Sequence, residues 1–228
     1  PDATVVFVMN HRSNMDYVLV TYLVARASAL SYAVGEWARI WPLSAVIRSM
    51  GAYFIRRKSR GALYRRVLAR YVQMATEGGV AQAVFPEGGL SVSGGLEEPR
   101  LGILSYIVAD HDPAGRDIVF VPVALNYDWV LEDRILVAAA ERGDRRFRPA
   151  RGHGASAILR HIWQRLTRRF VRFGTATVSF GAPLSLRDFG PVGEDVTPLA
   201  SELMDRIAAV MPVLPVPLVA RLLGEGPM

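Results

Sequence analysis

The pattern that most constrains this chain is an alternation of short apolar runs with longer helical stretches. Thr4–Met9, Ser31–Val34, Ala52–Arg56, Ala81–Phe85, Ile118–Ala124 and Ala176–Phe180 read as strands. Asn14–Ala29, Glu36–Ser49, Gly61–Glu77, Arg100–Ala109 and Ser156–Arg172 carry helical patterns, and a last helix is predicted over Pro198–Val210. Such alternation argues for an α/β fold with a mostly parallel central sheet flanked by helices. Ligands of open α/β sheets bind beyond the carboxyl ends of the strands. Chemistry is therefore expected in the loops after Met9, Phe54, Phe85 and Ala124. Thr175–Phe180 reads as one more strand of the same sheet, so the Arg- and Gly-rich stretch from Arg142 to Gly154 does not divide the domain.

Composition narrows the classes. The 228 residues are 51% hydrophobic and 21% charged, enough for one domain with a proper core and unlike a disordered chain. Cysteine is absent, which excludes a disulfide framework, a thiolate metal site and a cysteine nucleophile. No apolar run reaches the ~18 residues of a spanning helix. Tyr17–Gly35 is broken by Arg26, and the apolar tail Val210–Leu223 carries Pro212, Pro215 and Pro217. The chain starts at Pro1-Asp2, almost inside a strand, and residues 1–228 are read as one domain excised from a longer protein. The formal net charge is +6, and Lys58 is the only lysine among 27 basic residues. Glu141 to Arg172 holds ten Arg against two acids, an imbalance that implies an anionic partner: nucleic acid, phosphate groups or an anionic membrane surface.

Four segments carry candidate chemistry. The first strand runs into Asn10-His11-Arg12-Ser13-Asn14-Met15-Asp16. On one continuous helix His11 and Asp16 lie about 140° apart and cannot meet. With His11 in the strand-to-helix turn and Asp16 in the first helical turn, they can. Asp16 then holds one ring nitrogen and leaves the other as a general base. The same spacing reads as a capping box, with Asp16 three residues after Ser13. Ser13 lacks the Gly-x-Ser-x-Gly setting of a serine nucleophile and is read as a helix cap. Gly51-Ala52-Tyr53-Phe54-Ile55-Arg56-Arg57 ends a strand in two guanidinium forks suited to phosphate. Phe85-Pro86-Glu87-Gly88-Gly89-Leu90-Ser91-Val92-Ser93-Gly94-Gly95 is a Gly-rich turn that lets a ligand approach the backbone. Val121–Asp128 reads, without context, as a buried strand.

In order and spacing, these four segments resemble the conserved blocks of the glycerolipid acyltransferases, and most closely the glycerol-3-phosphate 1-acyltransferase branch. The His-x4-Asp block is His11 to Asp16. The resemblance spans about residues 5 to 130. It implies transfer of a fatty acyl chain from acyl-carrier protein or acyl-CoA to a hydroxyl of glycerol 3-phosphate. His11 is the implied base, Asp16 its support, and neither an acyl-enzyme nor a metal or cofactor is required. It places Arg56 and Arg57 on the phosphate, and Glu87 with the Gly88-Gly89 backbone around the acceptor. Arg12, Ser13 and Ser91 join that acceptor site. One departure stands out. The third block of this branch usually reads Glu-Gly-Gly-Arg-Ser-Arg, and here Leu90 and Val92 occupy the arginine positions. Two charge-assisted contacts of ~1.5–3 kcal/mol each are lost there unless Arg100, Arg57 or Lys58 compensates. A lysophosphatidate or other lysophospholipid acceptor is the alternative enzyme, and a silent lipid- or carrier-binding domain the alternative outside catalysis.

Ser156–Phe173 sets Ile158, Leu159, Ile162, Trp163, Leu166, Phe170 and Val171 on one face. Arg160, Arg165, Arg168, Arg169 and Arg172 lie mostly opposite. This reads as a surface helix on the sheet, or as a basic face toward anionic lipid headgroups or acidic carrier protein. No nucleic-acid motif accompanies the charge, so nucleic acid is not expected as a partner. The expected location is the cytoplasmic face of the cell membrane, held peripherally.

Overall fold

The computed structural model describes residues 2–24, 30–35, 51–55, 61–109, 111–143, 163 and 174–224, with backbone only for 33–35 and 52–55. The helices expected over Glu36–Ser49 and Ser156–Arg172, and also Arg56 and Arg57, fall outside these residues, Trp163 excepted.

Among the described residues, seven strands form one sheet: β1 (Ala3–Met9), β2 (Ser31–Gly35), β3 (Ala52–Ile55), β4 (Gln82–Val84), β5 (Asp117–Tyr127), β6 (Ala176–Phe180) and β7 (Leu184–Ser185). Their order is β3-β2-β4-β1-β5-β6, with β7 also on β5. The first five are mutually parallel, as the alternating pattern predicts, while β6 and β7 run antiparallel to β5. Proline has no N–H to give to a ladder. Pro122 falls between the register of β6 (Val123↔Phe180) and that of β7 (Phe120↔Leu184), where the neighbouring edge is interrupted.

Period-two alternation distributes β1 and β5 between two cores. Val6, Val8, Ile118, Phe120 and Ala124 face helices α2 (Ala62–Glu77), α3 (Leu101–Val108) and α6 (Thr197–Ala209). Met9, Val123 and Leu125 face the other way, with Val20 and Val24 of α1 (Asp16–Val24). Phe120, Val6 and Ile207 are fully buried. Two further helices are α4 (Asp133–Glu141) and α5 (Leu186–Phe189).

The tail holds a finding the sequence reading did not anticipate. Pro215–Gly224 is a helix, α7, despite its two prolines. Pro215 and Pro217 fall in its first turn, where backbone N–H groups have no intrahelical acceptor to lose. None of its residues is buried, and Val216, Leu218, Val219, Leu222 and Leu223 are all exposed.

Candidate active site

The site forms where β1 runs out. Asn10 fastens that end to β5 through two bonds: its Nδ2 donates to the Leu125 carbonyl at 2.9 Å, and its Oδ1 accepts from the Leu125 N–H at 2.7 Å. The chain then turns, and α1 starts at Asp16. His11 and Asp16 meet across this turn, with Nδ1 2.9 Å from Oδ2. Both are buried, at 4% and 0% exposure. Asp16 Oδ2 also accepts from the backbone N–H of Arg12 at 2.7 Å and of Ser13 at 3.0 Å. Supporting the imidazole and capping the turn are thus one arrangement, not alternatives.

A carboxylate only accepts, so Nδ1 is the donor of this bond, and in the neutral imidazole that tautomer leaves the lone pair on Nε2. No side chain among the described residues bonds Nε2. The ring packs on Phe85, with centroids 4.3 Å apart, and meets Tyr17 edge-on at 5.3 Å. It lines a cleft of about 290 Å³ whose other walls include Leu68, Ile103, Leu104, Ala200 and Leu203, with Arg100. This size is near the small end of ligand clefts, and the walls come from α2, α3 and α6.

The Gly-rich turn after β4 closes the site from the other side. Glu87, 4% exposed, accepts from the His11 N–H through Oε2 at 2.7 Å and from the Glu97 N–H through Oε1 at 3.1 Å. Burial pushes its carboxyl above the ordinary value, while those two N–H groups and the nearby Arg12 and His11 pull it back. Glu87 therefore anchors the backbone at the base of the site. Gly88 has φ +66°, and a Cβ there would stand 2.8 Å from Arg100 Cδ. Only glycine takes this conformation without strain and leaves Arg100 in place. Ser91 donates its N–H to the His11 carbonyl at 3.0 Å, and its Oγ donates to the Gly95 carbonyl at 2.7 Å. Gly89 meets nothing within 4 Å of its would-be Cβ. Leu90 is 6% exposed, so the position where the related pattern has an arginine packs into the interior.

Arg12 is a cation at this edge. Burial lowers its pKa, against the opposing pull of Glu87, Asp16 and Glu97. Its Nε is buried without a hydrogen-bond partner among the described residues. Ser13 gives its hydroxyl proton to Glu132 Oε2 at 2.8 Å and accepts from the Met15 N–H at 3.1 Å, which makes it a turn cap.

Two contributors went unread in the sequence. Tyr127 donates to Asp16 Oδ1 at 2.6 Å. Burial, and then the charge of Asp16, push the phenol's pKa far up. Glu132, 8% exposed, holds Ser13 and Asn14. Tyr127 closes what reads as an ordinary buried strand, and Glu132 precedes a helix start that the pattern did not reveal.

These features define a class: an α/β domain with a buried imidazole, oriented by a carboxylate, at the carboxyl edge of its sheet and on the wall of a cleft. The model of the Acyltransferase family matches residues 1–126, and the chain belongs to that family. It is 30% identical over 189 residues to a glycerol-3-phosphate acyltransferase of Alteromonas mediterranea, covering 81% of this chain and 22% of that protein. The corresponding protein of Xanthomonas campestris pv. campestris is 29% identical over 250 residues, covering 100% of this chain and 27% of that protein. The chain thus spans about a quarter of the length of these curated relatives. Among solved structures, the 1-acyl-sn-glycerophosphate (LPA) acyltransferase PlsC from Thermotoga maritima shares the fold. Its TM-score is 0.53 at 18% identity, over 92% of this chain and 66% of that one.

Proposed function

We propose that this domain moves a fatty acyl chain from a thioester, acyl-carrier protein or acyl-CoA, to a hydroxyl of glycerol 3-phosphate. The observation that carries the reading is the His11–Asp16 pair, with no side chain among the described residues on Nε2, on the wall of a largely apolar cleft. In this reading Nε2 takes the acceptor's hydroxyl proton as the oxygen attacks the thioester carbonyl. The C–S bond breaks, and the departing sulfur takes the proton back from the imidazolium, which Asp16 stabilises meanwhile. No acyl-enzyme forms. The apolar walls suit an acyl chain. Arg12 suits the acceptor phosphate, and so do Arg56 and Arg57, which follow β3 in the sequence and lie outside the described residues.

A lysophosphatidate or other lysophospholipid acceptor is the second reading, supported by Leu90: this buried leucine departs from the arginine usual in the third block of the glycerol-3-phosphate branch. Among the described residues no helix is long and apolar enough to cross a membrane. The exposed apolar residues of α7 and the Arg-rich segment suit peripheral attachment to an anionic surface at the cytoplasmic face.

The test offers labelled acyl-CoA and acyl-carrier protein against glycerol 3-phosphate, dihydroxyacetone phosphate, lysophosphatidate and glycerol. His11-dependent labelling of glycerol 3-phosphate above the rest supports the first reading. Preference for lysophosphatidate supports the second. A folded chain that binds donor or vesicles and labels nothing is a silent binding module, which overturns both.

A further inference from the structure

The family match ends at residue 126, and the side chains that grip the catalytic turn from its far side begin at Tyr127. Asp16 has two carboxylate oxygens with different duties. Oδ2 serves His11 and two backbone N–H groups, while Oδ1 takes the Tyr127 hydroxyl at 2.6 Å. That distance is typical of a charge-assisted O–H···O⁻ bond.

Glu132 is the second grip. It occupies the N-cap position of α4, yet its side chain caps no N–H of that helix. A carboxylate at such a position ordinarily accepts from its own first turn. Here Oε2 accepts from Ser13 Oγ at 2.8 Å, and Oε1 accepts from Asn14 N at 3.1 Å and Asn14 Nδ2 at 2.8 Å. All three donors lie in the four residues between His11 and Asp16. Burying a carboxylate is costly unless it is fully hydrogen-bonded, and among the described residues the partners of this side chain all lie in the turn that sets the His11–Asp16 separation.

We propose that Tyr127 and Glu132 are positioning residues for the catalytic pair. Tyr127 fixes the Asp16 carboxylate and tempers the basicity it lends His11, and Glu132 locks the intervening turn. The inference rests on His11 being the base. Among the described residues, the groups around His11 are Asp16 and Tyr17 from α1, Phe85 and Glu87 from the β4 end and Arg100 in the shared cleft, with Arg12 beside it in the turn. Tyr127 reaches His11 through Asp16, as a side-chain donor beside the Arg12 and Ser13 N–H groups. Burial and the charge of Asp16 push the Tyr127 phenol up from its ordinary value, which favours the protonated, donating form. Removing it leaves more negative charge at Oδ2, and the imidazolium is held more tightly.

Two readouts test this in the intact chain. The chain has four histidines, so His11→Gln assigns the His11 imidazole in nitrogen-detected NMR titrations. Tyr127→Phe is expected to raise the His11 protonation constant about threefold to tenfold. The acidic limb of kcat/KM moves up in pH by the same amount, with both KM values within about twofold. Glu132→Gln is expected to lower kcat about tenfold or more at unchanged KM. Should Glu132→Gln fail to fold, Asn14→Ala releases the same clamp from the other side and should reproduce the kcat loss. An unmoved His11 titration and pH limb in Tyr127→Phe, or an unchanged kcat in a folded Glu132→Gln, overturns that residue's role. Full turnover in His11→Ala instead overturns the base assignment. The NMR shift does not require turnover, so the two failures come apart.

Discussion

Replacing Asp16 with Asn is the perturbation the geometry constrains most tightly. The amide can keep the fold: its oxygen takes the place of Oδ2 and accepts from His11 Nδ1 and the Arg12 and Ser13 N–H groups, while its NH₂ faces the Tyr127 hydroxyl, which turns to accept. Exchanging charged for neutral hydrogen bonds costs about 1–3 kcal/mol of stability. What Asn cannot replace is the charge. At an effective dielectric of about 20, unit charges 2.9 Å apart attract by about 6 kcal/mol. With the proton roughly half transferred in the transition state, about 3 kcal/mol is forfeited, on the order of 10²-fold in kcat. Full transfer sets an upper limit of ~10⁴-fold. KM should hardly move, because Asp16 is 0% exposed and does not face the cleft lining. The assay is thiol released from acyl-CoA under saturating acceptor, with circular dichroism to establish the fold. A folded Asp16→Asn chain within about threefold of the wild-type kcat refutes the reasoning.

Gly88→Ala forces a side chain into φ +66° against Arg100. It should destabilise by roughly 1–2 kcal/mol in a denaturant titration and raise the KM of a cleft-bound substrate. Burial holds the Glu87 carboxyl above 4.5, so above that pH the native chain binds more protons than the unfolded one. Stability of wild type relative to Glu87→Gln should therefore be greatest below that value and fall as pH rises through the raised one. Urea midpoints from about pH 4 to about pH 7 measure it, and a difference that grows with pH contradicts the burial argument. Arg56→Ala with Arg57→Ala should raise the apparent acceptor constant more than the donor constant in initial-rate kinetics; the reverse pattern moves these residues to the donor.

Much of the sheet was legible because buried parallel strands are near-continuous apolar runs bounded by turns. Ser31–Val34 and Ala176–Phe180 differ from the structural strands by at most a residue. β7 has two residues, too few to show a period, and it survives by pairing Leu184 and Ser185 with β5. The prolines of the tail suggested a break, yet their place in the first turn of α7 makes them compatible with a helix. At the site, His11 and Asp16 were readable because their spacing only makes sense across a turn. Glu87 was noticed as a carboxylate at a strand end, but its two backbone N–H partners are visible only in three dimensions. Glu132 lies 118 and 119 residues from its partners, a separation over which sequence carries no pattern. Tyr127 reads as a strand residue because its hydroxyl's partner sits on α1.

The most direct test of the central claim compares wild type with His11→Ala for acyl transfer to glycerol 3-phosphate, both chains shown to be folded. The account expects wild-type turnover, and a loss in His11→Ala of at least the ~10²–10⁴-fold typical of a general base, with donor binding retained. Near-normal transfer by a folded His11→Ala chain would contradict it.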